Sequence, residues 1–493
     1  MELSTTSFIS LGIHLMEQRL RFIRPFPIFC GPEFFFLGLL CVLSSYALSP
    51  DNWQVLGFFA IIGLLIASYR IVLISRSNSD QILSNVFFTF ISAFSMFFLI
   101  GPLVEVFGHP DEIEYTTRFF STSADRAVMA LGANLIGFGV SLMIGGSLRF
   151  RAFTKNASKH FSYHQKINIL QISVWLVLIG IIFKAYVLYN DLYALDTIFG
   201  STRLLQLLMP VGSFLYFKEY NFDLKPISIF FICASLFYSL GGFLEFNKSE
   251  ILYPLIAIVG GLLIRNMTLV RLVRAVAGFG MILVILQQTN TAARNESLDK
   301  LNLTLSERIR IYEGAFRNNF ENTELQNIGI WSRLDYTTQN VAAMSLYDHG
   351  DGGESYKLIP WIFVPRLLFP DKPIMTNAGV NFNNKVRGSE TTSTGLGVFI
   401  SGYYDFGWFG LISVSVLVGF ILAWYRSIII AAQYSQSTTL LVIGLVGHFT
   451  AFHVSGDYMA NYLGTTVTVL YFFVITQFFF RIQRSRMNIR GGI

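Results

Sequence analysis

The sequence predicts an all-α integral membrane protein with about twelve transmembrane helices, both termini in the cytoplasm and one long, partly helical extracytoplasmic loop. Hydrophobic residues make up 53% of the 493 residues and charged residues only 13%, a balance outside the range of soluble globular domains. Apolar stretches of spanning length recur along the chain, and lysine and arginine gather in alternate loops between them. These observations indicate a chain that crosses a lipid bilayer many times.

A membrane-crossing helix needs about 20 mainly apolar residues, because each residue adds about 1.5 Å along the helix axis. The two shortest candidate stretches, Arg203 to Phe217 and Ile251 to Ile264, span only if they are tilted, broken or merged with neighbours. The other predicted spans are Pro32 to Leu48, Val55 to Ile74, Leu83 to Phe107, Ala127 to Leu148, Ile169 to Tyr189, Ile227 to Leu244, Leu269 to Leu286, Trp408 to Tyr425, Thr438 to Phe452 and Leu463 to Phe480.

Loop charges fix the direction of the spans, because cytoplasmic loops carry an excess of lysine and arginine. With the N-terminus inside, basic residues fall in every inner loop and acidic residues dominate the short outer loops. Both termini are therefore expected in the cytoplasm and the long loop outside, which divides the chain into residues 1–287, 288–395 and 396–493. The inner loops hold Arg70, Arg76, Arg149, Arg151, Lys155, Lys218, Lys225, Arg265, Arg271, Arg274 and Arg426, and the outer loops hold Asp51, Asp111, Glu112, Asp191, Asp196, Glu245, Glu250 and Asp457.

Composition argues against several other classes of protein. The net charge of +6 is spread in short clusters beside apolar stretches, so a nucleic-acid partner is not predicted. The cysteines, Cys30, Cys41 and Cys233, lie in or beside apolar stretches, which predicts neither a disulfide framework nor a zinc site. Residues 1–24 lack the apolar core and cleavage motif of a signal peptide, so the first span is expected to direct insertion.

The long loop is too apolar and aromatic to be a disordered tether, and two helices are predicted in it. Thr304 and Glu307 have the spacing of a capping box, which predicts a helix that continues through Phe316. Ser332 is the expected cap of a second helix, which should end near Gly350. The loop is therefore expected to fold on the membrane surface.

The stretch from Tyr356 to Pro370 is strongly apolar, but Pro360, Pro365 and Pro370 prevent a normal spanning helix. An interfacial or re-entrant hairpin is expected here. It would hold Arg366 and Lys372 near the outer membrane surface, where a lipid diphosphate headgroup would lie.

The stretch from Thr394 to Gly410 leads into the span that starts at Trp408, and its glycines permit close approach of the backbone. Tyr403, Tyr404 and Trp408 are candidates for a platform on which sugars stack. An aromatic belt at the membrane interface is the more common reason for such residues.

Several of these motifs resemble the Wzy-type polymerases of O-antigen and exopolysaccharide repeat units. The resemblance covers the topology of the whole chain, and at sequence level it is confined to Asn247–Glu250 and Pro365–Gly410. Ser401 stands where many members carry a glutamate, so the role of that carboxylate does not transfer. The motifs are Asn247-Lys248-Ser249-Glu250, Pro365-Arg366, Pro370-Asp371-Lys372-Pro373, Ser393-Thr394 and Gly402-Tyr403-Tyr404-Asp405-Phe406-Gly407-Trp408-Phe409-Gly410.

The resemblance implies an inverting glycosyltransferase of GT-C-like architecture in the bacterial cytoplasmic (inner) membrane, with its long loop in the periplasm. It would pass a glycan from undecaprenyl diphosphate to a hydroxyl of another lipid-linked repeat unit on the outer face, with no metal or other cofactor. A flippase and a chain-length regulator of the same pathway would be its protein partners.

Such a reaction must stabilise the departing diphosphate and deprotonate an acceptor hydroxyl. Arginine and lysine suit the first task, although each candidate could equally be an interfacial or ion-paired residue. Lys248 in particular lies between Glu245 and Glu250 and could pair with them. The candidate diphosphate ligands are Arg366, Arg333, Lys248, Lys372, Arg203 and Arg387, and the candidate bases are Asp335, His349, Asp405 and Asp457.

Two alternatives to a polymerase remain. A ligase would use similar outer basic residues but move a finished glycan to a different acceptor. A transporter or flippase would carry charged residues deep within its spans. The sequence disfavours this, because Arg70, Lys184, Arg271 and Arg274 are expected near span ends. His448 and His453 are five residues apart, which does not match the usual pair of metal ligands on a helix, so no metal site is predicted.

Overall fold

A computed structural model describes most of the predicted membrane region and part of the long loop. The described residues are 30–75, 85–108, 122–148, 169–192, 205–220, 225–245, 248–265, 304–321, 334–364, 377–388, 394–435 and 437–471, with a few single positions between them. Within these residues all regular secondary structure is helical.

The α-helices are named in chain order. They are α1 (Cys30–Ser45), α2 (Gln54–Ser75), α3 (Val86–Phe94), α4 (Val104–Phe107), α5 (Ala124–Ser147), α6 (Ile169–Leu192), α7 (Leu208–Glu219), α8 (Pro226–Leu244), α9 (Lys248–Arg265), α10 (Leu305–Glu321), α11 (Thr337–Asp348), α12 (Ile359–Ile362), α13 (Asn377–Arg387), α14 (Val398–Ser435) and α15 (Thr438–Phe452). Between or after them lie π-helices at Ser95–Ile100 and Tyr458–Gly464 and 3₁₀ turns at Gly101–Leu103, Ser355–Leu358 and His453–Ser455.

Among the described residues, six helices are long and apolar enough to cross a membrane, and three shorter apolar helices accompany them. This confirms a helical, membrane-embedded architecture. All but Arg274 and Gly278 of the predicted span Leu269 to Leu286 lie outside the described residues. The six long helices are Gln54–Ile74, Val86–Phe107, Ala124–Ser147, Ile169–Tyr189, Pro226–Leu244 and Val398–Ala432, and the shorter ones are Gly31–Ser45, Tyr253–Leu262 and Leu440–Ser455.

Glycines hold α1 and α5 together. Gly31 and Gly38 on α1 face Gly139 and Gly132 on α5, in antiparallel order with a spacing of seven residues on each helix. A methyl group on Gly38 would lie 2.7 Å from the carbonyl oxygen of Gly132, so larger residues would separate the helices. Membrane helices attract each other through such close packing, because burial in lipid leaves little hydrophobic driving force between them.

Helix α14 changes direction sharply at Phe406 and Gly407. Phe406 has φ −145° and ψ 22°, and Gly407 has φ 60° and ψ −145°, so neither residue is helical. Gly402 packs against Gly410, which would lie about 12 Å away in a continuous helix. The helix starts at Val398, ten residues before the predicted start of the span, because residues 398–405 form a short buried helix that turns back into the span.

The described helices form two packed groups. The first has one continuous apolar core that includes residues of α1–α3, α5, α11, α14 and α15, and the second consists of α6–α9. Phe214 and Ala257 of the second group pack against Leu441 of α15, and the rings of Tyr253 and Phe449 are 5.6 Å apart. Helix α15 therefore joins the two groups.

Part of the long loop packs onto one end of the first group, here called the covered end. Helix α11 contacts α5 and α14, and α13 packs against residue Tyr404 of α14. The predicted capping box of α10 is confirmed: Thr304 N donates to Glu307 Oε2 at 2.8 Å, and Glu307 N donates to Thr304 Oγ1 at 3.4 Å.

Helix α11 begins at Thr337, where Asp335 Oδ1 accepts a hydrogen bond from the backbone N of Thr337 at 3.0 Å. The predicted cap, Ser332, lies outside the described residues. The helix ends as expected near Gly350, whose φ of 88° lies in the left-handed region that favours glycine.

The proline-broken stretch contains only short helices in its described part, a 3₁₀ turn and α12. Ile359, Phe363 and Phe369 expose large apolar side chains there. Exposed apolar side chains on a broken backbone are typical of an interfacial segment.

Candidate functional site

The end of α11 presents three polar residues on one helix face at the covered end. Ser345 lies three residues before Asp348 and four before His349, so both side chains lie next to Ser345. Asp348 Oδ1 accepts a hydrogen bond from Tyr403 Oη at 3.0 Å, and Asp348 Oδ2 lies 3.5 Å from Nη1 of Arg126. We call Arg126, Asp348, His349, Tyr403 and Trp408 the Asp348 site.

His349 is exposed and its ring is oriented by its own helix. Its Nδ1 lies 2.7 Å from the carbonyl oxygen of Ser345. A carbonyl oxygen only accepts hydrogen bonds, so Nδ1 carries the proton and the neutral ring keeps its lone pair on Nε2. This is the tautomer in which a histidine acts as a general base through Nε2.

Three aromatic rings line the site. The ring of Tyr403 meets those of Tyr347 and Trp408 edge-to-face, at centroid distances of 5.4 and 5.5 Å. Gly407 permits this arrangement, because a methyl group there would lie 2.9 Å from Tyr347 Oη. Only 3% of Tyr403 is exposed, whereas Trp408 is half-buried, so Trp408 rather than Tyr403 has surface available to a sugar.

The prediction from sequence missed Arg126. The residue lies in the first turn of α5, next to the expected start of a span, and its side chain is half exposed. The signal was present, because Arg126 is a cation at the end of an outer loop in which acidic residues outnumber basic ones. Its partner Asp348 could not be identified, since no local pattern connects two residues so far apart in the chain.

Asp405 is a buried structural acceptor. Its Oδ2 accepts from Tyr458 Oη at 2.7 Å and its Oδ1 from Ser355 N at 3.1 Å. Gly353 N donates to the carbonyl oxygen of Tyr404 at 2.8 Å, which fixes the same loop to α14. The engagement of both oxygens inside the protein favours a structural role for this carboxylate, at the turn of α14, over that of a base.

Asp335 is buried as well, with 2% of its surface exposed. Burial raises the pKa of its carboxyl group, and hydrogen bonds from Thr337 and an interaction with Glu105 partly offset this rise. The residue packs against Gly101, beside the π-helix Ser95–Ile100. Its burial favours a structural role over that of a base for an external substrate.

Asp457 accepts from Ala460 N at 2.7 Å at the start of the π-helix Tyr458–Gly464, and burial raises the pKa of its carboxyl group. His448 and His453 have separate partners: His448 Nδ1 lies 2.7 Å from Thr89 Oγ1, and His453 Nδ1 donates to the carbonyl oxygen of Phe449 at 2.8 Å. Among the predicted bases in the described residues, His349 is therefore the one with an exposed basic atom.

The predicted diphosphate ligands stay predictions. Arg203, Arg333 and Arg366 lie outside the described residues, as do the side chains of Lys248 and Arg387. Lys372 Nζ donates to the carbonyl oxygen of Val364 at 2.8 Å, within the proline-broken stretch.

Lys385 is a cation that the sequence did not single out. Its Nζ donates to the carbonyl oxygens of Asp351 and Gly352 and lies 5.9 Å from the ring centre of Tyr404. Tyr404 therefore contacts protein groups on α13, at 5.6 Å from the ring of Phe382, rather than presenting an open face.

The sequence did not connect Lys184 with Glu245 and Glu250, which the structure brings together. Lys184 is completely buried, and its Nζ contacts Glu245 Oε1 at 2.7 Å and the carboxylate of Glu250. The helices α6, α8 and α9 bring these groups together. An ionisable cluster therefore lies inside the second helix group.

Comparisons with protein-family models, characterised proteins and solved structures find no match to this chain. The resemblance to Wzy-type polymerases thus rests on the sequence motifs alone and stays a prediction.

Proposed function

We propose that this chain is an inverting glycosyltransferase that polymerises undecaprenyl-diphosphate-linked repeat units into O-antigen or exopolysaccharide. The reaction takes place at the covered end, which faces the outside of the bacterial cytoplasmic membrane in a topology of about twelve spans with both termini inside. The loop charges and the motif resemblance support this orientation and this substrate class.

The observation that carries the proposal is the Asp348 site, where an exposed histidine with a fixed tautomer lies on the same helix face as an arginine-bound carboxylate. The acceptor oxygen forms a bond to the anomeric carbon, and the bond from that carbon to the diphosphate oxygen breaks. The acceptor proton moves to His349 Nε2, and the bonding electrons leave with the diphosphate.

Arg126 supplies the charge that this leaving group requires. Its nitrogen lies 3.5 Å from Asp348, longer than the 2.7–2.9 Å of a close charge-assisted hydrogen bond. A half-exposed guanidinium with a loose partner can turn to a diphosphate, which it binds through two parallel hydrogen bonds. Trp408, at the edge of the site, offers a stacking surface for the glycan.

Chain elongation by the purified protein in vesicles, with a lipid-linked repeat unit as the sole substrate, tests the proposal. His349→Gln removes the basic nitrogen and should lower the elongation rate by about 10²–10⁴-fold. Arg317→Gln, at an exposed position of α10, is a control that should elongate like the wild type. A His349→Gln protein with wild-type elongation would overturn the assignment of the base.

A second candidate function is transport of a lipid-linked glycan across the membrane. The buried Lys184 cluster favours it, because ionisable residues inside membrane helices commonly mark transport or proton pathways. The vesicle experiment separates the candidates by their products. A polymerase lengthens the glycan, a ligase transfers it to another acceptor, and a flippase moves it between leaflets unchanged.

A further inference from the structure

A single ammonium group faces two carboxylates in the second helix group. Lys184 Nζ on α6 lies 2.7 Å from Glu245 Oε1, at the end of α8, and contacts Glu250 on α9. None of the Lys184 side chain is exposed, and less than a tenth of either glutamate side chain is. The charge of one lysine is therefore divided between two carboxylates in surroundings that exclude water.

The two carboxylates have different surroundings. Glu250 accepts a second hydrogen bond, from Gln206 Nε2 at 3.0 Å. For Glu245 the described ammonium donor is Lys184, and its carboxyl group also lies within hydrogen-bonding reach of the Glu250 carboxyl group. Glu250 thus has the better-stabilised negative charge, and Glu245 is the carboxyl group that a proton would neutralise at the lower cost.

Two further polar atoms next to these groups are buried. Gln206 Oε1 and Tyr238 Oη have no hydrogen-bond partner among the described residues, and the two residues are 2% and 0% exposed. The ring of Tyr238 lies 5.0 Å from Lys184 Nζ.

The backbone around the Lys184 cluster is closely packed and leaves little room for a ligand. A methyl group on Gly241 would lie 3.3 Å from Lys184 Nζ, and one on Gly242 would lie 3.0 Å from the backbone carbonyl carbon of Glu250. Besides Lys184 and the two glutamates, the titratable groups near the cluster in the part of the chain that the structure describes are Tyr238 on α8, Tyr253 on α9 and, beyond the end of α8, Arg308 and Tyr312 on α10.

We propose that the Lys184 cluster is a proton-binding site in which Glu245 carries an exchangeable proton while Glu250 stays ionised against Lys184. With the proton bound, one ammonium faces one carboxylate, and a buried pair of that kind is balanced. Loss of the proton leaves a second buried negative charge on the same ammonium. The inference does not depend on the proposed glycosyl transfer.

The physical surroundings place this exchange near neutral pH. Burial raises the pKa of the Glu245 carboxyl from its ordinary value to about 7, and the charge of Lys184 opposes the rise. A proton at this position can therefore come and go under ordinary cellular conditions.

The site is linked to the long loop through the residues that precede Glu245. Arg308 Nη1 of α10 donates to the carbonyl oxygen of Leu244 at 2.5 Å, and the rings of Tyr312 and Phe243 are 5.5 Å apart. Protonation of Glu245 thus changes the charge directly beside the contact between α10 and the helix bundle. A transport cycle or a loop movement coupled to protons would use such a contact.

Glu245→Gln tests the proposal, because an amide resembles the protonated acid in shape and charge. Since the folded wild type binds this proton more tightly than the unfolded chain, its melting temperature should fall by several degrees from about pH 5 to about pH 8. In Glu245→Gln that fall should be smaller, and the part that is left comes from other buried carboxyl groups such as Asp335. Infrared difference spectra between the two pH values should show a protonated carboxyl band in the wild type that Glu245→Gln lacks.

Glu33→Gln is the control, because Glu33 also pairs with a cation, Arg70, but 42% of its side chain is exposed. It should keep the pH dependence of the wild type. A pH dependence in Glu245→Gln equal to that of the wild type would overturn the proposal. So would a Glu245→Gln protein that fails to fold at neutral pH, since the proposal requires the neutral side chain to be tolerated. Neither result bears on the proposed glycosyl transfer, which the elongation assay tests independently.

Discussion

The Asp348 site and the Lys184 cluster both bring a cation to carboxylate groups from distant parts of the chain, but they differ in balance and in access to water. Arg126 and Asp348 are one charge of each sign, half and one-third exposed, 3.5 Å apart. Lys184 faces two carboxylates with none of its side chain exposed. An exposed, loose pair can exchange a partner for a ligand, whereas a buried, tight cluster can exchange little more than a proton.

The largest effect expected from this difference is that of Lys184→Met. The substitution keeps the length and apolar character of the stem but leaves Glu245 and Glu250 without their ammonium group. Removing one partner of a buried pair typically costs about 3–5 kcal/mol. Equilibrium unfolding in mixed detergent micelles measures this loss.

Lys218→Met in the same helix group is the matched control. Its partner Glu219 lies 3.7 Å away, and both side chains reach solvent. We expect a change of less than about 1 kcal/mol for this exposed pair. Equal losses in the two variants would contradict the claim that burial distinguishes them.

A smaller effect is expected at the turn that carries Tyr403 and Trp408 into the Asp348 site. Gly407→Ala places a Cβ at φ 60° and ψ −145°, a conformation that only glycine adopts readily, and against the ring of Tyr347. We expect a loss of about 1–3 kcal/mol in the free energy of unfolding. The same unfolding experiment measures it.

Gly260→Ala is the control for this substitution, because Gly260 lies within α9 and an added methyl group would meet Phe214 at an ordinary 3.6 Å. Alanine favours helix more than glycine does, so this variant should be as stable as the wild type or slightly more stable. If Gly407→Ala were as stable as the wild type, a side chain at position 407 would not strain the turn.

The contrast between these regions also shows what the sequence could predict. The six long apolar helices, the capping box at Thr304 and the helix end near Gly350 depend on local hydropathy, side-chain hydrogen bonds and backbone conformation, and the sequence predicted them. Pairings between helices depend on which faces meet. For that reason the sequence offered only Lys248 as a possible partner for Glu245 and Glu250 and did not connect them with Lys184.

The candidate site was predictable to the same limited extent. His349, Tyr403 and Trp408 were selected because of their residue types, and the structure shows how they are oriented. Tyr403 donates a hydrogen bond to Asp348, and Asp348 pairs with Arg126. The pair depends on the contact between α5 and α11, which no sequence motif encodes. The turn at Gly407 was likewise hidden, because its sequence reads as the start of one continuous span.

A third comparison concerns Asp335, a buried carboxylate with hydrogen-bond donors and no described cation beside it. Asp335→Ala leaves the donors of Thr337 without their acceptor, and we expect a loss of about 1–2 kcal/mol. Asp335→Asn keeps an acceptor oxygen and should lose less. Thermal unfolding of both variants in detergent measures the difference.

The two variants also separate charge from hydrogen bonding. Burial raises the pKa of Asp335, so the folded protein holds this proton more tightly than the unfolded chain does. Stability should therefore fall as the pH rises from the ordinary aspartate value toward the folded value, and Asp335→Asn should lack that part of the decline. An identical pH dependence in the wild type and Asp335→Asn would exclude a raised pKa at this residue.

The smallest effect on stability should come from Arg126→Gln. This variant best distinguishes an exposed ligand-binding pair from a buried structural cluster. The pair with Asp348 is exposed, so its removal should change the free energy of unfolding by less than about 1 kcal/mol. Tyr403 still donates its hydrogen bond to Asp348, which keeps the aspartate in place. Unfolding in mixed micelles and elongation in vesicles are measured on the same preparation. If Arg126 binds the departing diphosphate, the elongation rate falls at least tenfold, which corresponds to a rise of about 1.4 kcal/mol in the activation barrier. The free energy of unfolding should still change by less than about 1 kcal/mol. A stability loss like that of Lys184→Met, with the loss of elongation following it, would instead make Arg126 a structural residue.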